Sequence, residues 1–192
     1  MFLKGAVKSK SKDLSERFGK LSVTAKQARI CYNLFHIPRD FARLQDLRAA
    51  YAKDRLVPLL RANNLLGQGA AFSSMMMMIF QQFHLYNIRG VTIKNEAKKY
   101  NRWYSYCWCS LIFFNILGKK VFLDNYKETK DKEKDAKEKR LARLNILGST
   151  LDLFPAIGGT GLIPFSDITK GFGGTAAAFI AIYTNKARQT KP

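Results

Sequence analysis

The chain has 192 residues, of which 33 are Lys or Arg and 14 are Asp or Glu, so its formal net charge is +19. Hydrophobic residues make up 47% and aromatic residues 12%, a composition that excludes a disordered polycation or a histone-like tail. The mean hydropathy of −0.19 excludes a chain that lies mostly inside a bilayer. The order of charged and apolar segments along the chain therefore decides its class.

The first 61 residues form a basic amphipathic region, with 14 Lys and Arg against five Asp and Glu. Apolar residues recur at alternating spacings of four and three, which predicts one face of a helix: Leu14, Phe18, Leu21, Ala25, Ala28, Tyr32 and Phe35. Four basic residues lie off this face: Lys12, Lys20, Lys26 and Arg29. Either the face packs on a neighbouring helix or partner, or it enters the head-group region of a membrane while the basic residues contact anionic lipid.

Residues 62–123 are predicted to form two central apolar helices. The first uncharged run, Ala62 to Ile88, is long enough to cross a hydrocarbon layer of about 30 Å. Its Asn, Gln and His side chains would cost free energy against lipid, so a crossing requires them to face protein or head groups. The second run, Trp103 to Gly118, is rich in aromatic residues and has basic flanks on both sides. The positive-inside rule therefore leaves its orientation open.

A charged helical linker is predicted at residues 124–143. Acid-before-base pairs four residues apart stabilise a solvated helix by about 0.2–0.5 kcal/mol each, and three occur here: Glu128–Lys132, Glu133–Lys137 and Asp135–Lys139.

Residues 144–192 are predicted to form a Gly-rich apolar helical hairpin. Pro and Gly interrupt its first part, so we expect a helix, a loop and a re-entry between residues 144 and 165. In the last helix, the small-xxx-small step of Gly174 and Ala178 predicts a helix-packing seam.

The sequence contains no recognisable catalytic constellation. His36 and His84 have no nucleophile or carboxylate in a local motif, and Cys107 and Cys109 lack the further ligands that a zinc site needs. The glycines at 158–161 are followed by neither a GK[ST] ending nor a complete GxGxxG pattern. The sequence therefore predicts a protein that is not an enzyme, with no cofactor, no metal and no small-molecule substrate.

Two segments, at residues 14–47 and 143–185, resemble the peroxin-11 family. The first contains KLSVTAKQARICYNLFHIPRDFARLQDL, in which Leu21, Ala25, Arg29 and Phe35 match the amphipathic region of that family. The second contains RLNILGSTLDLFPAI, which resembles the leucine-rich segment with an Asp of that family, here Asp152. It is followed by GFGGTAAAFIAIYTN, which resembles the final helix of the family and contains Gly174, Thr175, Ala178, Ile182 and Tyr183. The resemblance implies a peroxisomal or glycosomal membrane protein without cofactor, whose amphipathic helices insert into one leaflet and help to elongate the organelle before division.

Together, these observations predict an all-α protein with amphipathic N-terminal helices, apolar membrane-associated helices and a charged helical linker. Our first hypothesis is a membrane-shaping protein of the peroxisomal or glycosomal membrane, which contacts anionic lipids and associates with itself or with other membrane proteins. The second is an accessory structural subunit of a respiratory or ATP synthase complex in the mitochondrial inner membrane. The third is an RNA-bound ribosomal protein. Nucleic acid is disfavoured because the aromatic run Trp103 to Gly118 contains no basic residue to accompany base stacking.

Overall fold

A computed structural model of the chain describes residues 16, 20–21, 23–24, 28, 36–53, 58–88, 96–129 and 131–189. All regular secondary structure in these residues is helical, so the all-α prediction is confirmed. The described part contains five continuous helices: α1 (His36–Lys53), α2 (Pro58–Ile88), α3 (Ala97–Asp124), α4 (Lys132–Thr160) and α5 (Asp167–Gln189).

The helix ends follow from local sequence. Pro58 opens α2, where its missing N–H removes a donor that would have no intrahelical partner. Asp131 caps α4 because its side chain accepts a hydrogen bond from the backbone N–H of Lys134 at 3.0 Å. Gly161 ends α4 in the left-handed conformation, with φ of 78°. Ser166 then accepts a 3.1 Å hydrogen bond from the N–H of Thr169 and starts α5.

Helix α4 differs from the prediction in two places. It begins only at Lys132, so Glu128 lies before the helix and pairs across the connection with Lys139 at 2.7 Å instead of with Lys132. It then runs without a break across the boundary predicted at residue 143 and through Pro155. The expected loop and re-entry therefore come later, at residues 161–166, where the left-handed glycine stops the helix. The division of the chain into four regions stays a prediction.

The helices form an open layer. Among the five helices, close backbone contacts join only pairs that are neighbours in sequence: α1 with α2, α2 with α3, α3 with α4, and α4 with α5. Short connections between packed neighbours make successive helices antiparallel. At the α1–α2 contact, the buried carboxylate of Asp40 accepts a hydrogen bond from the Ser74 hydroxyl at 2.5 Å. Each inner helix therefore packs closely on two neighbours.

Small residues make the contacts inside the layer, while large apolar residues lie outside it. Five of the nine buried hydrophobic residues in the described part are alanines, and the bulkiest side chains that are almost wholly buried belong to Thr184 and Ser105. The exposed set contains Leu, Ile, Phe, Trp and Tyr from all the helices. At the α3–α4 contact, a Cβ added to Gly159 would overlap the Ser105 Oγ, so this approach requires glycine. Close helix packing through small residues is typical of helices within membranes.

Candidate functional site: the outer apolar surfaces and the groove of the layer

Helix α3 presents an apolar surface of membrane-spanning length. Among the described helices it is the one whose length and composition would allow it to cross a membrane, and only 6% of its most apolar window is buried in the protein. Trp103, Tyr106 and Phe113 lie on its exposed side. Exposed Arg102 and Lys120 bracket that side. Their separation of 18 residues corresponds to about 27 Å of helix, close to the thickness of a hydrocarbon layer.

Helix α2 contains the first uncharged run and keeps most of its polar groups against protein. Gln81 and Gln82 are buried, and the His84 Nδ1 lies 2.8 Å from the carbonyl oxygen of Ala97. Asn87 is also buried, and its side-chain oxygen accepts the N–H of Glu96 at 2.7 Å. This is the orientation that a helix with these groups needs beside lipid. The rest of the α2 surface exposes large apolar residues: Leu65, Phe72, Phe83 and Tyr86.

Helix α5 lies at the edge of the layer and carries the most exposed apolar stripe. Ile168, Phe172, Phe179 and Ile182 are each 64–68% exposed and are separated by four, seven and three residues, which places them on one side of the helix. The loop before α5 adds Leu162, which is 71% exposed. The sequence analysis missed this stripe, although its spacing was the same signal that predicted the N-terminal amphipathic face.

The close contact between α4 and α5 involves Gly173 and Ala177, both of which are buried. A Cβ added to Gly173 would lie 2.7 Å from the Leu151 carbonyl oxygen. That carbonyl is four residues before Pro155, whose missing N–H leaves it without its usual helical partner, and the glycine backbone covers it instead.

The predicted seam residues, Gly174 and Ala178, stand one position further along α5. A Cβ added to Gly174 would meet only the Pro155 Cγ, at 3.8 Å, and Ala178 is exposed. Both residues line a groove of the layer instead of the tight α4–α5 contact. Their role as a seam toward another chain stays a prediction.

This groove is an open cavity of about 420 Å³ between α3, α4 and α5, with Met77 of α2 at its border. Tyr104 and Trp108 line it from α3, and their ring centroids lie 5.7 Å apart. The Trp108 indole N–H donates to Asp152 Oδ2 of α4 at 3.1 Å. The groove therefore combines two aromatic rings and a half-buried carboxylate that are brought together from residues far apart in the sequence.

The connection after α3 and the first turns of α4 meet in a hydrogen-bonded corner, whose described residues are 125–129 and 131–139. Asp135 is buried there, and it accepts the Thr129 backbone N–H at 2.6 Å and the Thr129 hydroxyl at 2.8 Å. The Tyr126 hydroxyl lies 3.0 Å from Asp135 Oδ1 and 2.9 Å from Glu138 Oε2, so one hydrogen serves two carboxylates. The Lys139 ammonium lies 5.3 Å from the centroid of the Tyr126 ring.

The pKa values of the corner reflect these contacts. Burial alone would raise the pKa of Asp135, but the hydrogen bonds from Thr129 and Tyr126 and the charge of Lys139 outweigh it and hold the pKa below its ordinary value of 3.8. The pKa of Tyr126 is raised from 10.0 by desolvation, by its hydrogen bonds to Glu138 and Asp135, and by their negative charges. The corner therefore favours a charged Asp135 and a neutral Tyr126.

With these surfaces described, the comparisons with known proteins decide the family. A family model of Peroxisomal biogenesis factor 11 (PEX11) matches residues 1–186. The chain belongs to the peroxisomal biogenesis factor 11 family. No curated protein and no solved structure matches the chain. The match confirms the resemblance drawn from residues 14–47 and 143–185, and it also takes in the central helices, for which the sequence analysis offered no counterpart.

The N-terminal face that we matched to the peroxisomal biogenesis factor 11 family lies mostly outside the described residues. This holds for Leu14, Phe18, Ala25, Tyr32 and Phe35, and for the basic Lys12, Lys26 and Arg29. Leu21 and Ala28 are both helical and exposed. Lys20 is also helical and exposed, and its carbonyl accepts a 3.1 Å hydrogen bond from the Thr24 hydroxyl.

Proposed function

We propose that the chain is a non-enzymatic structural protein of the peroxisomal membrane that helps to shape that membrane. The observation that supports this most directly is the distribution of side chains, because small residues fill the helix contacts while Phe, Ile, Leu and Trp face outward. Water would penalise such a surface, whereas lipid tails are as apolar as the side chains themselves. Membership of a family of peroxisomal biogenesis factors supports the choice of organelle. The mitochondrial and ribosomal hypotheses gain no support from that match.

The described helices suggest how the protein would sit in lipid. Helix α3 would cross the bilayer, since its exposed apolar side is bracketed by Arg102 and Lys120 at a spacing that suits the hydrocarbon thickness. The outer sides of α2 and α5 would face lipid beside it, because their exposed stripes are apolar along the same layer. The buried polar groups of α2 would be satisfied within the protein.

The N-terminal face would act at the membrane surface. A helix with an apolar side and basic neighbours lies in the interface plane, with its basic residues on anionic lipid. Insertion into one leaflet expands that leaflet relative to the other, and this difference in area bends the membrane. In this proposal Leu14, Phe18, Leu21, Ala25, Ala28, Tyr32 and Phe35 enter the lipid, while Lys12, Lys20, Lys26 and Arg29 contact the head groups. Gly174 and Ala178 would serve contacts with a second copy or with another membrane protein.

Organelle fractionation followed by alkaline carbonate extraction tests the location. We expect the tagged full chain to sediment with peroxisomal markers and to stay in the membrane pellet after carbonate, because exposed apolar surface holds it in lipid. Release by high salt alone would instead indicate phosphate contacts of the kind that hold RNA-bound proteins, since these weaken steeply with salt. Either release by salt or carbonate, or sedimentation with mitochondrial markers, would contradict the proposal.

Vesicle binding by a peptide of residues 12–36 tests the N-terminal face. We expect binding to vesicles that contain anionic lipid, and loss of binding in Phe18→Glu/Leu21→Glu, because both charges would have to enter the apolar layer. Ser15→Glu/Gln27→Glu is the matched control, with the same change in charge at positions off the face. Equal binding by the two double variants would show that charge alone matters and would refute the role of the apolar face.

A further inference from the structure

We propose that the groove between α3, α4 and α5 binds a methylated ammonium cation, carried either by the choline head group of a phospholipid or by a free quaternary ammonium compound. Tyr104, Trp108 and Asp152 would be its binding residues. All three line the same cavity of about 420 Å³, which lies within the usual range of roughly 300–1,000 Å³ for small-ligand clefts. The proposal goes beyond membrane shaping, which assigns no role to this cavity.

The electrostatics of the groove favour a cation. The faces of Tyr and Trp rings are negative and attract ammonium groups within about 6 Å of the ring centroid. Tyr104 and Trp108 both line the groove, their ring centroids lie 5.7 Å apart, and their interplanar angle of 49° shows that the rings are tilted and not stacked flat. Asp152 adds a carboxylate beside the second ring, held by the Trp108 indole N–H at 3.1 Å.

The lining of the groove favours a methylated cation over a metal ion. A hard cation needs several oxygen ligands, and among the described residues no three His, Cys, Asp or Glu side chains are grouped to hold a metal. The rest of the lining includes Met77, Ala177 and Ala178, which offer carbon and sulfur surface to methyl groups. A quaternary ammonium also has no N–H groups that would need acceptors.

The room in the groove comes from small residues. Gly148 and Gly174 line it from α4 and α5, and neither has a side chain that would fill the space opposite the aromatic rings. At Gly148 an added Cβ would lie 3.0 Å from the Ile180 Cγ2, so a side chain there would crowd α5. Asp152 belongs to the motif that the sequence shares with its family, and the groove supplies a chemical reason for a carboxylate at that position.

A fluorescence titration of the full-length protein in maltoside micelles tests the proposal. The chain has two tryptophans, so Trp103→Phe leaves Trp108 as the only indole reporter. Tetramethylammonium chloride is the probe, and sodium chloride at equal ionic strength is the reference. We expect a saturable change in Trp108 emission with tetramethylammonium only. Identical responses to the two salts would overturn the proposal.

Asp152→Asn in the Trp103→Phe background tests the carboxylate. Asparagine keeps a side-chain oxygen for the Trp108 N–H and removes the charge, so we expect the apparent Kd to rise by about tenfold or more, the scale of one strong electrostatic contact. Asp167→Asn is the matched control, because Asp167 is exposed and pairs with Lys170 away from the groove lining. An unchanged Kd in Asp152→Asn would overturn the proposal.

A second pair of variants covers the case in which Asp152→Asn loses helicity. Tyr104→Phe keeps the ring and should keep binding, whereas Tyr104→Leu removes the ring and should weaken it several-fold. Equal affinities in this pair would overturn the role of the ring.

A comparison of nanodiscs made from different lipids identifies the source of the cation. A higher apparent Kd for tetramethylammonium in phosphatidylcholine than in phosphatidylethanolamine, which has the same net charge but no methylated ammonium, supports a lipid head group in the groove, and equal values support a free cation.

Discussion

The substitution Gly173→Ala tests the contact between α4 and α5 most directly. The added Cβ would lie 2.7 Å from the Leu151 carbonyl oxygen and 3.1 Å from the Phe154 Cβ. A backbone oxygen cannot rotate out of the way as a flexible side chain can, so the helices must separate. Gly174→Ala is the matched control, because it adds the same methyl group to the next residue of the same helix, where the nearest atom would be the Pro155 Cγ at 3.8 Å.

The expected difference follows from two terms. Replacing Gly by Ala favours a helix by about 1 kcal/mol, and this term is common to both variants and cancels between them. Overpacking costs about 1–3 kcal/mol and applies only to Gly173→Ala. Since 1 kcal/mol shifts the melting temperature of a chain of this size by about 2–4 °C, Gly173→Ala should melt roughly 2–12 °C below Gly174→Ala.

Thermal melts of the full chain in detergent, followed by far-ultraviolet circular dichroism, measure this difference. Gly158→Ala is a further control, because its Cβ would also lie 2.7 Å from a neighbour, but that neighbour is the Cε of the flexible Lys170 side chain. We expect Gly158→Ala to melt close to Gly174→Ala. Equal melting temperatures for Gly173→Ala and Gly174→Ala, or a lower value for Gly174→Ala, would refute the register of the contact.

Three further predictions concern other parts of the layer. The corner should lose stability as the pH falls below 3.8, because the pKa of Asp135 is lower in the native state, and again as the pH rises above 10, because the pKa of Tyr126 is raised. Melting temperatures measured across the pH range should follow this course. Asp135→Asn should remove the loss of stability at low pH, and an unchanged loss would contradict the role of the corner. Phe172→Ser/Phe179→Ser should increase release of the chain by carbonate, and release equal to wild type would count against a lipid-facing α5. Gly159→Ala should lower the melting temperature because its Cβ meets Ser105, and an unchanged melt would contradict the tight α3–α4 approach.

Sequence patterns predicted the class of the fold and most helix positions, because uncharged runs, proline and caps act locally. The central runs at 62–88 and 103–118 lie within α2 and α3, and Pro58 stands at the start of α2 as its chemistry requires. Pro155 stays inside its helix. The carbonyl that proline leaves without its helical partner lies against a glycine of another helix, a tertiary contact that the local sequence does not encode.

The details of the site depend on contacts that no local pattern encodes. Gly173 and Gly174 are adjacent, and which of them meets α4 depends on the rotation of α5 against its neighbour. The hydrogen bond between Trp108 and Asp152 joins residues 44 apart, so neither side chain predicts the other. The α5 stripe could have been found from its spacing, since Ile168, Phe172, Phe179 and Ile182 repeat as the N-terminal apolar residues do.

The neighbour-only contacts of the layer have a consequence for how the protein is assembled. Because close backbone contacts join each described helix only to the helices before and after it, each such contact can form as soon as one more helix has been synthesised. Contacts of such short sequence separation favour fast folding, and successive hairpins can enter a bilayer in the order of translation. Energetic coupling should likewise decay along the chain, so that substitutions at the α1–α2 contact and at the α4–α5 contact add independently. In this respect we expect the layer to fold as a linear array of helices.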